Sequence, residues 1–521
     1  MSRRIITLLA IAVLLAGALL AWALPALART RHSGAREVAA RSVVARAAVA
    51  RTAPPRTTTR ARTAAGTATT AAQPKPKPRP RPGASAGPTM PRSWVGSWSR
   101  PFEVTAPVAS DLISPVLAVS ATGQLAVGSG LTDEDAPNHA RAEVITALPS
   151  GAVTPRRTLS GVQQTLAAAY LGNQLVLVTG TSPAADACCS SASTLAVRGL
   201  GFGASEPLAA GLEGASTAAL VPVRGGLLAA VDNQAGITVA RSNESVGFSA
   251  GEQLTGGDPT PPLMAAGSLV DGGAVVAWTA PAASAQTVTG TTTAPGSSTT
   301  AAGYDQPRNE LIYFATAGPV GLPGAPRLAI TVPRGRQIDA LTVAAHGDGA
   351  TVAWTESWYA GTLYRSEVFW ADLGNSAQGQ ALSGGATAAV GLSMAGSARG
   401  RQVLTWQACD VSAGTCTADA ALRPHGDAWG PVRSLGTVDP TSFPVATQSS
   451  LGQSLVGWVD NGRVRVRAAK PGATRFYRPV TVARGAADSA LSLGFGAGER
   501  ADAVWIQGTV DQKLEGARFT P

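Results

Sequence analysis

The sequence predicts an all-β fold: a single β-propeller of about eight four-stranded blades, with seven as the alternative. An N-terminal strand is expected to close the ring, preceded by a signal or anchor helix and a disordered linker. Three observations lead there. A short apolar segment recurs eight times at a spacing near 50 residues, and periods of that size mark propellers and solenoids. Each copy stands in a unit of four strand-like segments joined by turn signals. The composition, with 59 Gly, 36 Pro and only 14% charged residues, favours many short strands over long helices.

The copies are GQLAVGSG (123–130), NQLVLVTG (173–180), GGLLAAVDN (225–233), GGAVVAWT (272–279), GATVAWTE (349–356), RQVLTWQA (401–408), GQSLVGWVD (452–460) and ADAVWIQG (501–508). Taking the Trp or its equivalent as marker gives positions 128, 178, 230, 278, 354, 406, 458 and 505, at intervals of 50, 52, 48, 76, 52, 52 and 47. AVVAW is apolar at consecutive positions, so both faces are buried, as between neighbouring blades. Val276 and Trp278 are expected on one face, with Val275 and Ala277 on the other. A helical repeat would show a 3.6-residue period, and a β-helix coil would be shorter and parallel. The first three markers lack Trp, which keeps the seven-blade alternative open.

Around each marker strand the order is constant. A short apolar run ending in a turn precedes it, as in LAVSATG (117–123) or TVAAHGDG (342–349). A third strand follows, such as GRVRVRAAKPG (462–472), joined through the hairpin signal Asn461-Gly462. A fourth closes the unit, as in WGPVRSLG (429–436) and RPVTVARG (478–485). The last unit has a third strand at LEGARF (514–519) and then stops. WSRPFEVT (98–105) matches the fourth-strand pattern and is expected to complete it, hiding two sheet edges. The long interval has its own cause, a Thr/Ala/Gly/Ser-rich insertion at 279–303 in the fourth unit, expected as a loop.

Over residues 94–521, phrases such as VVAWT and LRPHGDAWGPVRSLG resemble uncharacterised exported bacterial β-propeller repeat proteins, and more distantly sialidase-like propellers. The resemblance implies the architecture and little about activity. Sialidase-like propellers carry Asp-box turns of the form Ser-x-Asp-x-Gly-x-x-Trp, and this chain has none. Their chemistry would also need Arg residues clustered around a Tyr-Glu pair, whereas Arg here is scattered, mostly where a solvent-facing strand residue would sit.

The charge of +10 divides unevenly. Residues 1–92 hold 16 of the 42 cations and one acid, Glu37, for +15; the remainder has 26 cations against 31 acids, for −5. A basic tail on a mildly acidic body is not a nucleic-acid-binding footprint, and no specific nucleic-acid partner is expected. After Arg3 and Arg4, residues 5–24 carry no charge, and Ala26-Leu27-Ala28 offers a signal-peptidase site. Residues 1–28 therefore read as a signal peptide or a membrane anchor. The length of the apolar run and Arg29, Arg31 and Arg36 fit an anchor. Residues 29–92, Ala/Arg/Thr/Pro-rich, read as a disordered linker. Arg36, Arg41, Arg46, Arg51 and Arg56 would scatter around a helix and form no membrane-binding face. QPKPKPRPRPG (73–83) is a stiff polyproline II spacer that can also attract anionic wall polymers or lipid headgroups. The localisation expected is extracytoplasmic, secreted or anchored to the cell membrane.

Four cysteines are present. Cys409 and Cys416 flank a hairpin tip and are expected to form a disulfide, which persists outside the cytoplasm. Cys188 and Cys189, in the corresponding loop of the second unit, can form a vicinal disulfide, stay reduced or pair with another chain. His32, His139, His346 and His425 cluster neither with each other nor with Cys, and no metal or other cofactor is expected. In TDEDAPNH (132–139), Asp133, Glu134 and Asp135 lack the spacing of a Ca²⁺ loop and read as solvated. Asp232-Asn233 and Asp460-Asn461 read as turn formers. Neither a G-x-S-x-G elbow nor a His-Glu-x-x-His motif occurs, so no catalytic residue is assigned. Trp358, Tyr359 and Tyr364, in ESWYAGTLY (356–364), are an aromatic group that can stack on a sugar or cover a blade edge. The function expected is a non-enzymatic envelope module for binding or assembly. It would act as a monomer on an envelope protein or an anionic wall polymer or glycan, and reach the membrane through the N-terminal segment if that is uncleaved. The alternative is a secreted glycan-acting hydrolase or lyase with its site at the central mouth.

Overall fold

The computed structural model describes residues 96–521, apart from residues 106–110, 113–114, 134–135, 151, 160–161, 163, 182–190, 199–200, 209–216, 234–235, 243–246, 255–262, 282–308, 348, 361–362, 375–378, 385–387, 425–427, 497–498 and 509–510. The expected signal or anchor (1–28), the linker (29–92), Cys188 and Cys189, and nearly all of the 279–303 insertion lie outside the described residues. Among those described, no helix is long and apolar enough to cross a membrane.

Eight antiparallel sheets of four or five strands follow one another along the chain. The marker of each segment falls in the second strand of its sheet, as in Ala274–Pro281 of blade 4 and Gly349–Ala360 of blade 5. The first strands pack side by side in sequence, from Val116–Val119 in blade 1 to Ala486–Phe495 in blade 8, and the last packs back on the first. Eight blades therefore close into a ring.

The apolar pattern explains the packing. Each buried cluster joins one pair of adjacent blades. Val276 and Trp278 pack with Leu228 and Ala230 of blade 3, and Val275 and Ala277 pack with Val352 and Trp354 of blade 5. The final cluster joins Val504, Ile506 and Leu514 of blade 8 to Leu125, Val127 and Ile145 of blade 1. Trp278, Trp354, Trp406, Trp458 and Trp505 are among the largest fully buried side chains, and each faces the preceding blade. The Asn461-Gly462 turn of blade 7 has φ of 50° and 66°, the left-handed pair that matches the twist of a two-residue hairpin.

Closure uses the N-terminal strand. Ser97 and Trp98 pair with Thr520 and Phe519, and Phe102 and Glu103 pair with Gly516 and Glu515. The Leu514 amide also donates to the Thr105 hydroxyl at 2.8 Å. Strands alternate in direction, so the hairpins joining second to third strands share one face of the ring with the starts of the first strands. Ser97 begins a fourth strand, and the chain therefore comes into the ring on the opposite face.

That opposite face is fastened by two buried arginines, Arg241 and Arg423, which depart from the mostly solvent-facing placement expected of Arg. Arg423, at the end of the third strand of blade 6 (Thr415–Arg423), is 1% exposed. Its guanidinium grips both Asp372 oxygens at 2.8 Å in blade 5 and donates to Thr351 Oγ1 at 2.9 Å. Arg241 of blade 3 donates to the carbonyls of Arg224, Pro319 and Gly321, tying its blade to the next. Asp232 and Asp460 are likewise more than turn formers. Both are buried, Asp232 accepting from the Thr217 amide and Asp460 pairing with Arg465 at 2.8 Å. Water is excluded there, so each charge needs its partner.

Candidate functional site

The hairpin face of blade 5 concentrates the unusual chemistry. Its second and third strands, Gly349–Ala360 and Leu363–Asp372, pair to their very tip, with Tyr359 opposite Tyr364 and Ala360 opposite Leu363. Strand alternation divides the aromatic group into two sets.

Trp358 lies on the side that meets blade 4. The Arg336 guanidinium stacks 4.1 Å from its ring centre and donates to Glu356 Oε2 at 2.7 Å. Glu356, 3% exposed, also accepts from the Trp354 indole at 2.9 Å. This side is internally satisfied, and Trp358 covers a blade edge.

Tyr359 and Tyr364 lie on the other side, with ring centroids 5.7 Å apart at 69°. Tyr359 is 53% exposed. At their foot is Asp339, on the first strand Gln337–His346, in a bulge where the pairing jumps from Ile338 to Ala340. The extra residue re-aims its side chain, as bulges do. The Ser357 hydroxyl is within hydrogen-bonding reach of both Asp339 and the Tyr364 phenol. Asp339 is exposed on its strand, yet neighbouring atoms crowd its carboxyl. The resulting desolvation raises its carboxyl to about 6, against the opposing pull of Ser357. Burial raises the Tyr364 phenol to about 12, and the Asp339 charge adds to that rise. A phenol so raised is a poor nucleophile.

Other raised acids sit inside the blades. Burial raises Glu143 and Asp502, with Arg156 at 3.3 Å and Arg518 at 2.9 Å respectively acting against the shift. Burial also raises Asp419, which Thr417 and Ser434 hydrogen-bond. Among the described residues, no three His, Cys, Asp or Glu side chains gather as a cation site would require. The side chains of Asp133, Glu134 and Asp135 lie outside what is described.

Blades 6 and 7 extend this face. Cys409 and Cys416 form a disulfide across the hairpin base, Cα atoms 4.0 Å apart. The tip beyond it is organised by Asp410, which accepts from the Ser412 hydroxyl at 2.6 Å and the Ser412 amide at 2.9 Å. Val411 there is 39% exposed. Phe443, also 39% exposed, precedes blade 7 and lies on Gly391 of blade 6, where φ is 64° and a Cβ would fall 2.1 Å from the ring. Glycine is required at 391 on both counts.

Neither a family model nor a curated relative matches the chain. Solved structures of similar fold are β-propellers. The Dos1 propeller is 12% identical with a TM-score of 0.45, over 82% of this chain and 95% of that one. The polysaccharide lyase Uly1 is 10% identical with a TM-score of 0.43, over 78% and 89%. A NanB sialidase from Streptococcus pneumoniae is 9% identical with a TM-score of 0.32, over 81% and 70%. At these identities the likeness concerns the fold alone.

Proposed function

We propose that the protein is an extracytoplasmic, non-enzymatic binding module that presents the hairpin face of blades 5–7 to an envelope component, a protein or a glycan. The observation that carries this reading is the grouping of exposed apolar side chains. Among the described residues of the hairpin face, Tyr359 and Leu363 of blade 5, Val411 of blade 6 and Phe443 just before blade 7 are each at least 39% exposed. Exposed apolar side chains on neighbouring hairpins support a contact surface there. The first described strand begins on the far face. The disulfide is consistent with an oxidising compartment.

The test is capture of isolated envelope polymers and proteins by the full chain and by a Tyr359→Ala/Leu363→Ala/Phe443→Ala variant. Capture by the first and loss in the second is expected; equal capture would overturn the assignment of the face. A glycan-acting enzyme is favoured only by Asp339, whose raised carboxyl would suit a general acid. A glycosidase needs a second carboxylate across the bond, and Glu356 is already engaged by Arg336 and Trp354. Turnover of envelope glycans that Asp339→Asn abolishes would establish that second reading.

A further inference from the structure

We propose that the corner between Tyr359 and Tyr364, with Asp339 at its foot, receives an organic ammonium group of the ligand. This rests on the binding-module reading and names the chemistry of its centre.

Two rings 5.7 Å apart at 69° form two walls of a box rather than a flat platform. A flat sugar face stacks best on a single open ring or on coplanar rings; a compact cation is attracted to π faces from several directions at once. The floor supplies the opposite charge. Asp339 is acted on by burial and by the Ser357 hydroxyl, and no basic side chain contributes. Arg336, three residues before it, is turned to the far side of the blade, held by Trp358 and Glu356. The facing strand of blade 6, Ala388–Gly396, contains no ionisable residue, and Arg365 and Glu367 point to the blade 4 side with Trp358 and Glu356. The corner therefore holds an exposed carboxylate that its neighbours crowd, with no basic side chain acting on it among the described residues, beside an exposed aromatic ring. An anionic polymer would be repelled there, and a neutral one would leave the charge unanswered.

An amine on a sugar and an amine on a lysine side chain present the same ion, and the test separates them. The full-length chain is titrated calorimetrically at pH 7.5 with a glucosamine tetramer, the same tetramer fully N-acetylated, and trilysine. The expected result is binding of the glucosamine tetramer or of trilysine, with the acetylated tetramer at least tenfold weaker. Tyr359→Ala and Asp339→Asn should each weaken the amine at least tenfold, and their melting curves show whether the fold is kept. Acidification to pH 5 should also weaken it, since protonating Asp339 removes the counter-charge. Equal binding of the acetylated tetramer would overturn the ammonium assignment while leaving the binding-module reading intact. Amine binding that both variants retain would place the site elsewhere and overturn it too. So would no binding of any of the three, whereas the wider reading is judged separately by envelope capture.

Discussion

Trp98 and Phe519 stand ring against ring, centroids 5.4 Å apart, joining the first described strand to the last. Their contact caps the outer edge of blade 8, where Val466 and Val480 of blade 7 also lie close, around a small apolar cavity of about 300 Å³. Removing residues 97–105 would bare the edge of Lys513–Thr520 along its length, and exposed edges recruit other strands. The deletion is expected to lose its cooperative melt and to aggregate, read by calorimetry and light scattering. Trp98→Ala, at a half-buried position, should cost about 2 kcal/mol. Unchanged melting of the deletion would refute closure by this strand.

Arg423 should be among the costliest single residues to remove. Arg423→Ala leaves Asp372 without its bidentate partner and should destabilise by about 3–5 kcal/mol. Desolvation pushes the Asp372 carboxyl up, but the hydrogen bonds from Arg423 and Thr351 outweigh it and hold it below its ordinary value of 3.8. A lowered acid stabilises the fold above its unfolded pKa, and that share is lost as pH falls through the folded one. The wild-type protein should therefore lose stability below about pH 4, and the variant should show a flatter acid limb in urea titrations.

Asp339 carries the opposite sign. Its carboxyl is raised to about 6 in the fold, so the folded state holds the proton that the unfolded chain releases near 3.8. Stability contributed by this group is present below pH 4 and declines as pH rises towards 6. Asp339→Asn should melt higher than wild type at pH 7.5, with the gap closing near pH 4. A constant gap across that range would show that Asp339 is not desolvated.

Two of the buried tryptophans should respond differently to the same change. Trp354 donates to Glu356, whereas the Trp406 indole N–H has no acceptor. Phenylalanine at 354 breaks a bond to a buried carboxylate; at 406 it removes a donor that was never satisfied. Trp354→Phe should therefore cost at least about 1 kcal/mol more than Trp406→Phe, measured by chemical denaturation.

The disulfide closes a short loop, with a sequence separation of 7. Chain-entropy reasoning assigns such a loop about 2–3 kcal/mol. Cys416→Ser, or reduction of the wild type, should lower the melting temperature without altering the β-sheet circular dichroism.

The ring is legible in the sequence because both faces of each marker strand are buried, which leaves runs such as AVVAW unlike any half-exposed strand. The closing strand is legible because WSRPFEVT repeats a pattern seen at other blade edges. The arginine fastenings are not. Arg241 and Arg423 look like solvent-side strand residues until the neighbouring blade is in place to supply carbonyls and Asp372. Asp339 gives no local signal either, since its setting depends on a bulge and on strands far away in the chain. The division of Trp358 from Tyr359 and Tyr364 follows from strand alternation, once the hairpin is known to pair to its tip.

The arginines that clasp one blade to another, Arg241 and Arg423, lie on the face where the chain comes in, whereas Arg336 and Arg465 pair with acids of their own blades near the hairpins. The consequence shows in blade 4, where the strands flanking residues 282–308 still pair in order from Ala274 with Ala317 to Pro281 with Asn309. A base held by guanidinium clasps leaves the crown free to be rewritten. Foreign sequence grafted between Pro281 and Asn309 should be carried as cargo, with the wheel beneath it turning out unchanged.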